Sequence, residues 1–268
     1  MKFLFWNVNK NSIERILSAI VEEHNVEVVV LAECPDKLAV LSSLNSDTQG
    51  KFHLTDTGKT RVVIYTRFSR QFIVSEHHDD ILTVRRLCLP RRREILLAAI
   101  HFPSKLYMTE RDQASMASRV SEEIRKVESR VGHSRTLLVG DLNMNPFDEG
   151  MTSADGLHAV MSKDIARRKP RTVHRKSYPF FYNPMWGRFG DTTEGPPGTF
   201  YRSASSFVEY FWHMFDQVLV RPELLGSFDI ATLRILTECR ATKFIRPSGV
   251  PNASRLSDHL PLVFELKM

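Results

Sequence analysis

Thr136-Leu137-Leu138-Val139-Gly140-Asp141-Leu142-Asn143 is an apolar run that ends in a glycine, a carboxylate and an amide. A short apolar strand feeding a polar turn sets those side chains at a sheet edge, where a rigid scaffold aims them. Near the other end of the chain, Ser257-Asp258-His259 runs directly into a second apolar strand, Leu260 to Leu266. Asn7, Glu33, His101 and Asp141 each close a predicted strand, whereas Asp216 and His259 each precede one. With the first set of strands running one way and the second the other, all six residues meet on one edge.

The remaining elements follow from pattern. Lys2 to Val8 reads as a short buried strand, and Ser12 offers an N-cap to a helix with the stripe Ile13, Ile16, Leu17, Ile20 and Val21. Val26 to Ala32 is valine-rich, as in a central strand covered on both faces, and Asp36 to Leu44 reads as a second helix. Strands are predicted over Arg61 to Thr66 and Gln71 to Ser75. Two more, Thr83 to Leu89 and Glu94 to Ile100, form a hairpin about Pro90-Arg91-Arg92-Arg93. Thr109 to Val131 is the longest helix, with Met116, Val120, Ile124, Val127 and Val131 on its buried face. Lys163 to Pro170 reads as a basic loop and Asp216 to Val220 as a strand. No repeat, low-complexity tract or linker divides the chain, so a single α/β domain with mixed sheets is expected over residues 1–268.

The 268 residues are 42% hydrophobic and 25% charged, which suits a soluble protein with a sizeable core. A net charge of +6 favours an anionic partner: nucleic acid, a phosphorylated small molecule or an anionic membrane surface. Cys34, Cys88 and Cys239 are far apart and form no CxxC pair, which argues against a disulfide framework or a zinc site and for a reducing compartment. The N-terminal apolar run is too short for a signal peptide, and no stretch reaches membrane-spanning length. The expectation is a cytoplasmic protein with no stable membrane association and no obligate protein partner.

Magnesium or manganese takes oxygen ligands, usually one or two carboxylates with water and substrate phosphate. Glu33 and Asp258 are the leading candidates, with Asn7 and Asp141 close by. His259 suits acid–base work near neutral pH, and Asp216 suits holding its tautomer, as in a protease triad without the serine. Water is then the nucleophile, activated by His259–Asp216 or by Asp141. Asn143 and His101 are placed to donate hydrogen bonds to phosphate oxygens as charge develops.

Trp6-Asn7-Val8-Asn9, Leu31-Ala32-Glu33, His101, Gly140-Asp141-Leu142-Asn143, Asp216-Gln217-Val218-Leu219 and Ser257-Asp258-His259 occur in that order. The ordered set resembles the endonuclease/exonuclease/phosphatase superfamily, over essentially the whole chain. The resemblance implies a four-layer α/β sandwich of two mixed β-sheets flanked by helices. It implies a metal site at Glu33 and Asn7, and Asp141 and Asn143 as groups that orient water and phosphate. It further implies an Asp216–His259 pair, Asp258 as a further metal or phosphate-site carboxylate, and His101 as the second histidine of the deoxyribonuclease and phosphatase branches. Exonuclease III-like repair enzymes usually lack that histidine, which speaks against an abasic-site role. The tryptophan-containing motifs of inositol polyphosphate 5-phosphatases are absent. The pattern, including Phe181-Tyr182-Asn183-Pro184-Met185-Trp186, is most similar to bacterial members without assigned substrates.

The expected activity is therefore metal-dependent phosphoester hydrolysis, foremost of nucleic acid as a phosphodiesterase. The alternatives are a phosphomonoesterase or a lipid phosphodiesterase of the inositol-phosphate or sphingomyelin type, and, further off, a non-catalytic binding module. Arg85 and Arg86 are expected nearly opposite His101 and hence near substrate. Arg91 to Arg93 should lie at the far end of the sheet, about 25 Å away at extended spacing. Arg167, Arg168, Lys169, Arg171, Arg175 and Lys176 are candidates to neutralise a phosphate backbone. Tyr182 and Trp186 stand out among the following aromatics as candidates to stack on bases.

Overall fold

Phe3 and Phe5 enter one apolar cluster and Leu4 and Trp6 another, because successive side chains of a strand point to opposite faces. The same division runs through both large sheets of the computed structural model, which describes residues 1–55, 61–105, 108–168, 170–192, 194–202 and 211–268. The first sheet has six strands in the order Phe228–Ile235, Leu262–Leu266, Lys2–Asn7, Val28–Ala32, Val62–Thr66 and His53–Leu54. The second has seven, in the order Ile73–His78, Leu82–Leu87, Ile95–His101, Thr136–Asp141, Asp216–Val220, Phe181–Tyr182 and Ala159–Val160. Both are mixed: Lys2–Asn7 runs parallel to Val28–Ala32, and Ile95–His101 parallel to Thr136–Asp141, with antiparallel neighbours on either side.

Three apolar layers hold this arrangement. The inner one, between the sheets, takes Phe3, Phe5, Val28, Val30, Leu97, Ala99, Leu137, Val139 and Val218. On the outer face of the first sheet, Leu4, Trp6, Val29 and Leu31 meet the stripes of the helices Glu14–His24 and Lys37–Asp47. On the outer face of the second, Leu96, Ala98, Ile100 and Leu138 meet Ala117, Val120, Ile124 and Val127 of the helix Glu110–Val131. The result is a four-layer α/β sandwich. The long helix opens with a Thr109–Asp112 capping box and closes at Gly132 in the left-handed conformation.

Three expectations are corrected. Ile13, not Ser12, occupies the first helix's N-cap position, and no side chain caps it. Residues 70–72 form a 3₁₀ turn ahead of Ile73–His78, where a strand from Gln71 was expected. The basic stretch after Met161 contains a short helix, Lys163–Ala166, because the Ser162 hydroxyl accepts from Ile165 N at 3.3 Å and supplies its cap. A small hairpin, Arg171–Val173 with Lys176–Tyr178, follows it. Among the described residues no helix is long and apolar enough to cross a membrane.

Candidate active site

Strand parity aims the site. Asn7 continues the inward series of Phe3 and Phe5, His101 that of Leu97 and Ala99, Asp141 that of Leu137 and Val139, and Asp216 leads that of Val218 and Val220. Each therefore points between the two sheets at the point where the apolar filling stops. Register does the rest: Asp141 is opposite both His101 and Asp216 in the second sheet. Gly140 is obligatory beside them, because a Cβ there would collide with the Ile100 carbonyl. Glu33, by parity alone, belongs to the outer face. Its backbone adopts φ +52°, a costly left-handed conformation for a glutamate, and its carboxylate reaches the inward group.

The contacts are close. Asn7 Nδ2 donates to Asp141 Oδ2 at 2.9 Å and to Glu33 Oε1 at 3.5 Å. His101 Nε2 lies 3.5 Å from Glu33 Oε1 and 3.6 Å from Asp141 Oδ2. His259 Nδ1 and Asp216 Oδ2 are 2.8 Å apart, and His259 Nε2 stands 3.9 Å from Asp141 Oδ2. Asp141 Oδ1 accepts the backbone N–H of Asn143, which sits at φ +48°. His259 is tied to the first strand twice: Trp6 Nε1 donates to its carbonyl, and Ser257 Oγ accepts its N–H while donating to the Asn7 carbonyl. The Trp-Asn and Ser-Asp-His motifs thus lock onto each other.

Electrostatics separate the two histidines. On His259, burial disfavours the charged ring, but the carboxylates of Asp216 and Asp141 outweigh it and hold the ring above its ordinary value. On His101, burial prevails over Asp141 and Glu33 and holds the ring below its ordinary value. Burial pushes Asp216 up against the pull of His259. His259 is therefore the proton-carrying imidazole, and His101 a neutral hydrogen-bonding one.

Two donor sets suit different tasks. Asp141, Asp216 and His259 bring one ligand-type atom each within 4.8 Å of one another. The short His259–Asp216 bond commits that nitrogen, so this triad is better suited to proton handling than to caging an ion. Glu33 and Asp141, both in contact with the Asn7 amide and both lining one cleft, form a hard oxygen set of the kind that suits magnesium or manganese. Asp258 lines the same cleft, with its Oδ1 accepting from Asn9 Nδ2 at 2.9 Å.

The cleft has a volume of about 1160 Å³, and Glu33, His101, Asp141, Asn143, Asp258 and His259 all line it. Asn143 Nδ2 also donates to the Phe102 carbonyl. The expected substrate residues fare differently. Arg85 is buried and donates to Ser75 Oγ and the His77 carbonyl; it is paired with Leu97 in the sheet, well down from His101. Arg86 is engaged by Glu76 and Glu94. Tyr182 is buried in the inter-sheet core opposite Val220, at the end of the strand remote from Asp216. Trp186 is half-buried edge-on against Phe147 and does not line the cleft. The hairpin Arg171–Tyr178 packs beside Arg125 on the long helix, also outside the cleft lining; Lys169 lies outside the described residues. Arg91 to Arg93 do sit at the far end of their hairpin, since Leu87 pairs with Ile95 there and Leu82 with Ile100 near the site.

Sequence reasoning missed the cations that do line the cleft: Lys10, Arg61, Arg202 and Arg246. Lys10 follows Asn7 by three residues, a signal within reach; Arg246 arrives from a loop whose path only the fold reveals. It also missed the amides behind the site. Gln113 Nε2 donates to the Asn143 carbonyl, Gln217 Nε2 to the Met144 carbonyl, and Asn183 Nδ2 to Gln217 Oε1. The Asn183-Pro184 motif is thus a brace for the loop after Asp141.

No protein-family model matches the sequence, and no curated protein matches it. Solved structures do. An endonuclease/exonuclease/phosphatase family protein from Bacteroides thetaiotaomicron is 16% identical over 99% of this chain and 97% of its own, with a TM-score of 0.59. The 3′ phosphatase NExo from Neisseria, solved with a product DNA hairpin, is 16% identical over 100% of both chains, with a TM-score of 0.56. An AP endonuclease from Archaeoglobus fulgidus is 14% identical over 100% of both, with a TM-score of 0.57. The chain has the endonuclease/exonuclease/phosphatase fold over its full length.

Proposed function

We propose that this chain is a metal-dependent phosphodiesterase that hydrolyses nucleic acid by attack of water on phosphorus. The observation that carries the reading is the convergence of the His259–Asp216 pair with Asp141 at 3.9 Å, beside the Glu33–Asn7 set, in a cleft lined by four cations. The solved structures that share the fold include a 3′ phosphatase bound to DNA and an AP endonuclease, which supports a nucleic-acid substrate.

The roles follow from the atoms. The Nδ1–Oδ2 bond orients the ring, so that Nε2 faces Asp141; Asp141 accepts a proton from the attacking water, and the charged His259 ring holds a proton for the leaving group. A new oxygen–phosphorus bond forms as the ester oxygen leaves and takes up the proton from His259. His101 and Asn143 offer hydrogen bonds to the phosphoryl oxygens. Glu33 and Asp141, with Asn7 beside them and Asp258 on the same cleft, would hold a magnesium or manganese ion, which would supply Lewis acidity toward the phosphoryl group.

The test is cleavage of end-labelled single- and double-stranded DNA and RNA with magnesium or manganese, an EDTA control, and Asp141→Ala in parallel. Metal-dependent products that vanish in the variant are expected, and their ladder separates endo from exo action. Products absent from the wild-type reaction, with release of phosphate from small phosphomonoesters instead, would replace this reading.

A further inference from the structure

The two walls of the cleft differ in chemistry. Lys10, Arg61 and Arg246 rise from loops of the first sheet, whereas Phe200 and Tyr201 belong to a ribbon that returns to the second. Arg246 is held in place there: Nε donates to Asn252 Oδ1 at 3.3 Å and Nη2 to Ser254 Oγ at 2.7 Å. Three of the four lining cations among the described residues thus lie on one side.

The ribbon brings two aromatic rings to the cleft lining, followed by Arg202. Phe200 pairs with His213 and Tyr201 with Trp212 in an antiparallel ribbon, and Arg202 N bonds the Phe211 carbonyl one step farther out. The ribbon is anchored on the site itself, with Phe200 bridged to His259 and Tyr201 N bonded to the Asp258 carbonyl. Outward from that anchor, the Tyr201 and Phe211 rings lie nearly parallel, 6.0 Å apart and 16° from coplanar. Tyr201 lines the cleft, and Phe211 is 61% exposed. A pre-stacked pair, with one ring half-buried in the cleft lining and the other exposed beyond it, is a platform for another flat ring.

We infer that the cleft takes a single strand of nucleic acid, with its phosphates along Lys10, Arg61 and Arg246 and an unpaired base stacked on the Tyr201–Phe211 ribbon; this rests on the phosphodiesterase reading above. A single strand presents phosphates on one side and bases on the other, and so matches two unlike walls. A duplex keeps its bases stacked inside and turns phosphates toward both walls, leaving the aromatic side without a partner. Aromatic stacking is tolerant of sequence, so the platform selects unpaired bases rather than particular ones.

Binding can be measured without turnover, in the Asp141→Ala background, by fluorescence anisotropy with labelled oligothymidylate, the same length of blunt duplex, and an oligonucleotide of abasic sites. Single strand is expected to bind at least tenfold tighter than duplex. Phe211→Ala is expected to weaken single-strand binding on the order of tenfold, within the range of base–aromatic stacking, and to leave the abasic strand unchanged. Phe211→Trp is expected to restore binding. A Phe211→Ala affinity within twofold of its parent, or an equal loss on the abasic strand, would overturn the stacking role. Tight binding of duplex alone overturns this inference and leaves the phosphodiesterase reading standing; binding of neither overturns both.

Discussion

One strand, Asp216–Val220, carries a buried charge at each end, and the two ends are built to opposite purposes. Below the strand, Arg221 donates four hydrogen bonds. Nε and Nη2 bond the two oxygens of Glu128 at 2.8 and 3.2 Å, Nη1 bonds the carbonyls of Pro179 and Phe180, and the guanidinium lies 3.8 Å from the Phe181 ring centroid. Thr136 Oγ1 adds a further donor to Glu128. Above the strand, Asp216 holds His259 through one oxygen, with the Thr199 hydroxyl beside it, and the imidazole opens onto the cleft. The buried Arg221–Glu128 pair, bonded to backbone and side chains on every side, fastens the long helix to the sheet. The buried Asp216–His259 pair presents its ring to an open cleft and is placed for chemistry. Burial and charge alone do not distinguish them; access to the cleft does.

The sharpest way to break this contrast is at the upper end. Asp141→Ala is expected to lower kcat by about 10⁴, since it removes an oxygen from both the proton path and the metal set. A loss below tenfold in a steady-state cleavage assay would detach Asp141 from the reaction. At the lower end, Arg221→Met strands Glu128 in the interior, and is expected to cost about 3–5 kcal/mol in urea unfolding with kcat per folded molecule unchanged. A matching fall in kcat would mean the two ends are not independent.

How far the sequence reached also differs between regions. Asn7, His101, Asp141, Asp216 and His259 were legible because strand ends are marked by a change from apolar to polar, and parity then fixes direction. Glu33 was legible as a strand-end residue, although its left-handed backbone was not. The arginines were misplaced by an error of register and not by a limit of the sequence: the expected turn over residues 90–93 already sets Leu82, not Arg85, beside His101. The pairing of Leu87 with Ile95 centres the hairpin on Arg91, which brings Ile81 and not Arg85 to the level of His101. Tyr182 was misassigned because an aromatic in a short strand looks the same whether it faces solvent or the inter-sheet core. The ribbon bearing Tyr201 and Phe211 is set by long-range pairing with His259, which local pattern does not encode.

Smaller effects sharpen the account. Glu33→Gln removes a charge from the metal set and is expected to raise the magnesium concentration for half-maximal activity on the order of tenfold. An unchanged magnesium titration would move the ion away from Glu33. Replacing Arg91, Arg92 and Arg93 together by serine is expected to alter kcat/KM by less than twofold, because they stand at the far end of their hairpin. A tenfold rise in KM would bring substrate to that end.

The central claim is tested most directly by Asp216→Asn and Glu128→Gln made side by side, each assayed for metal-dependent phosphodiester cleavage and for urea unfolding. The account predicts that Asp216→Asn loses on the order of 10³ or more in kcat while it remains folded. It predicts that Glu128→Gln keeps its kcat and loses about 3 kcal/mol or more of stability. Asp216→Asn retaining kcat within twofold of wild type would contradict it.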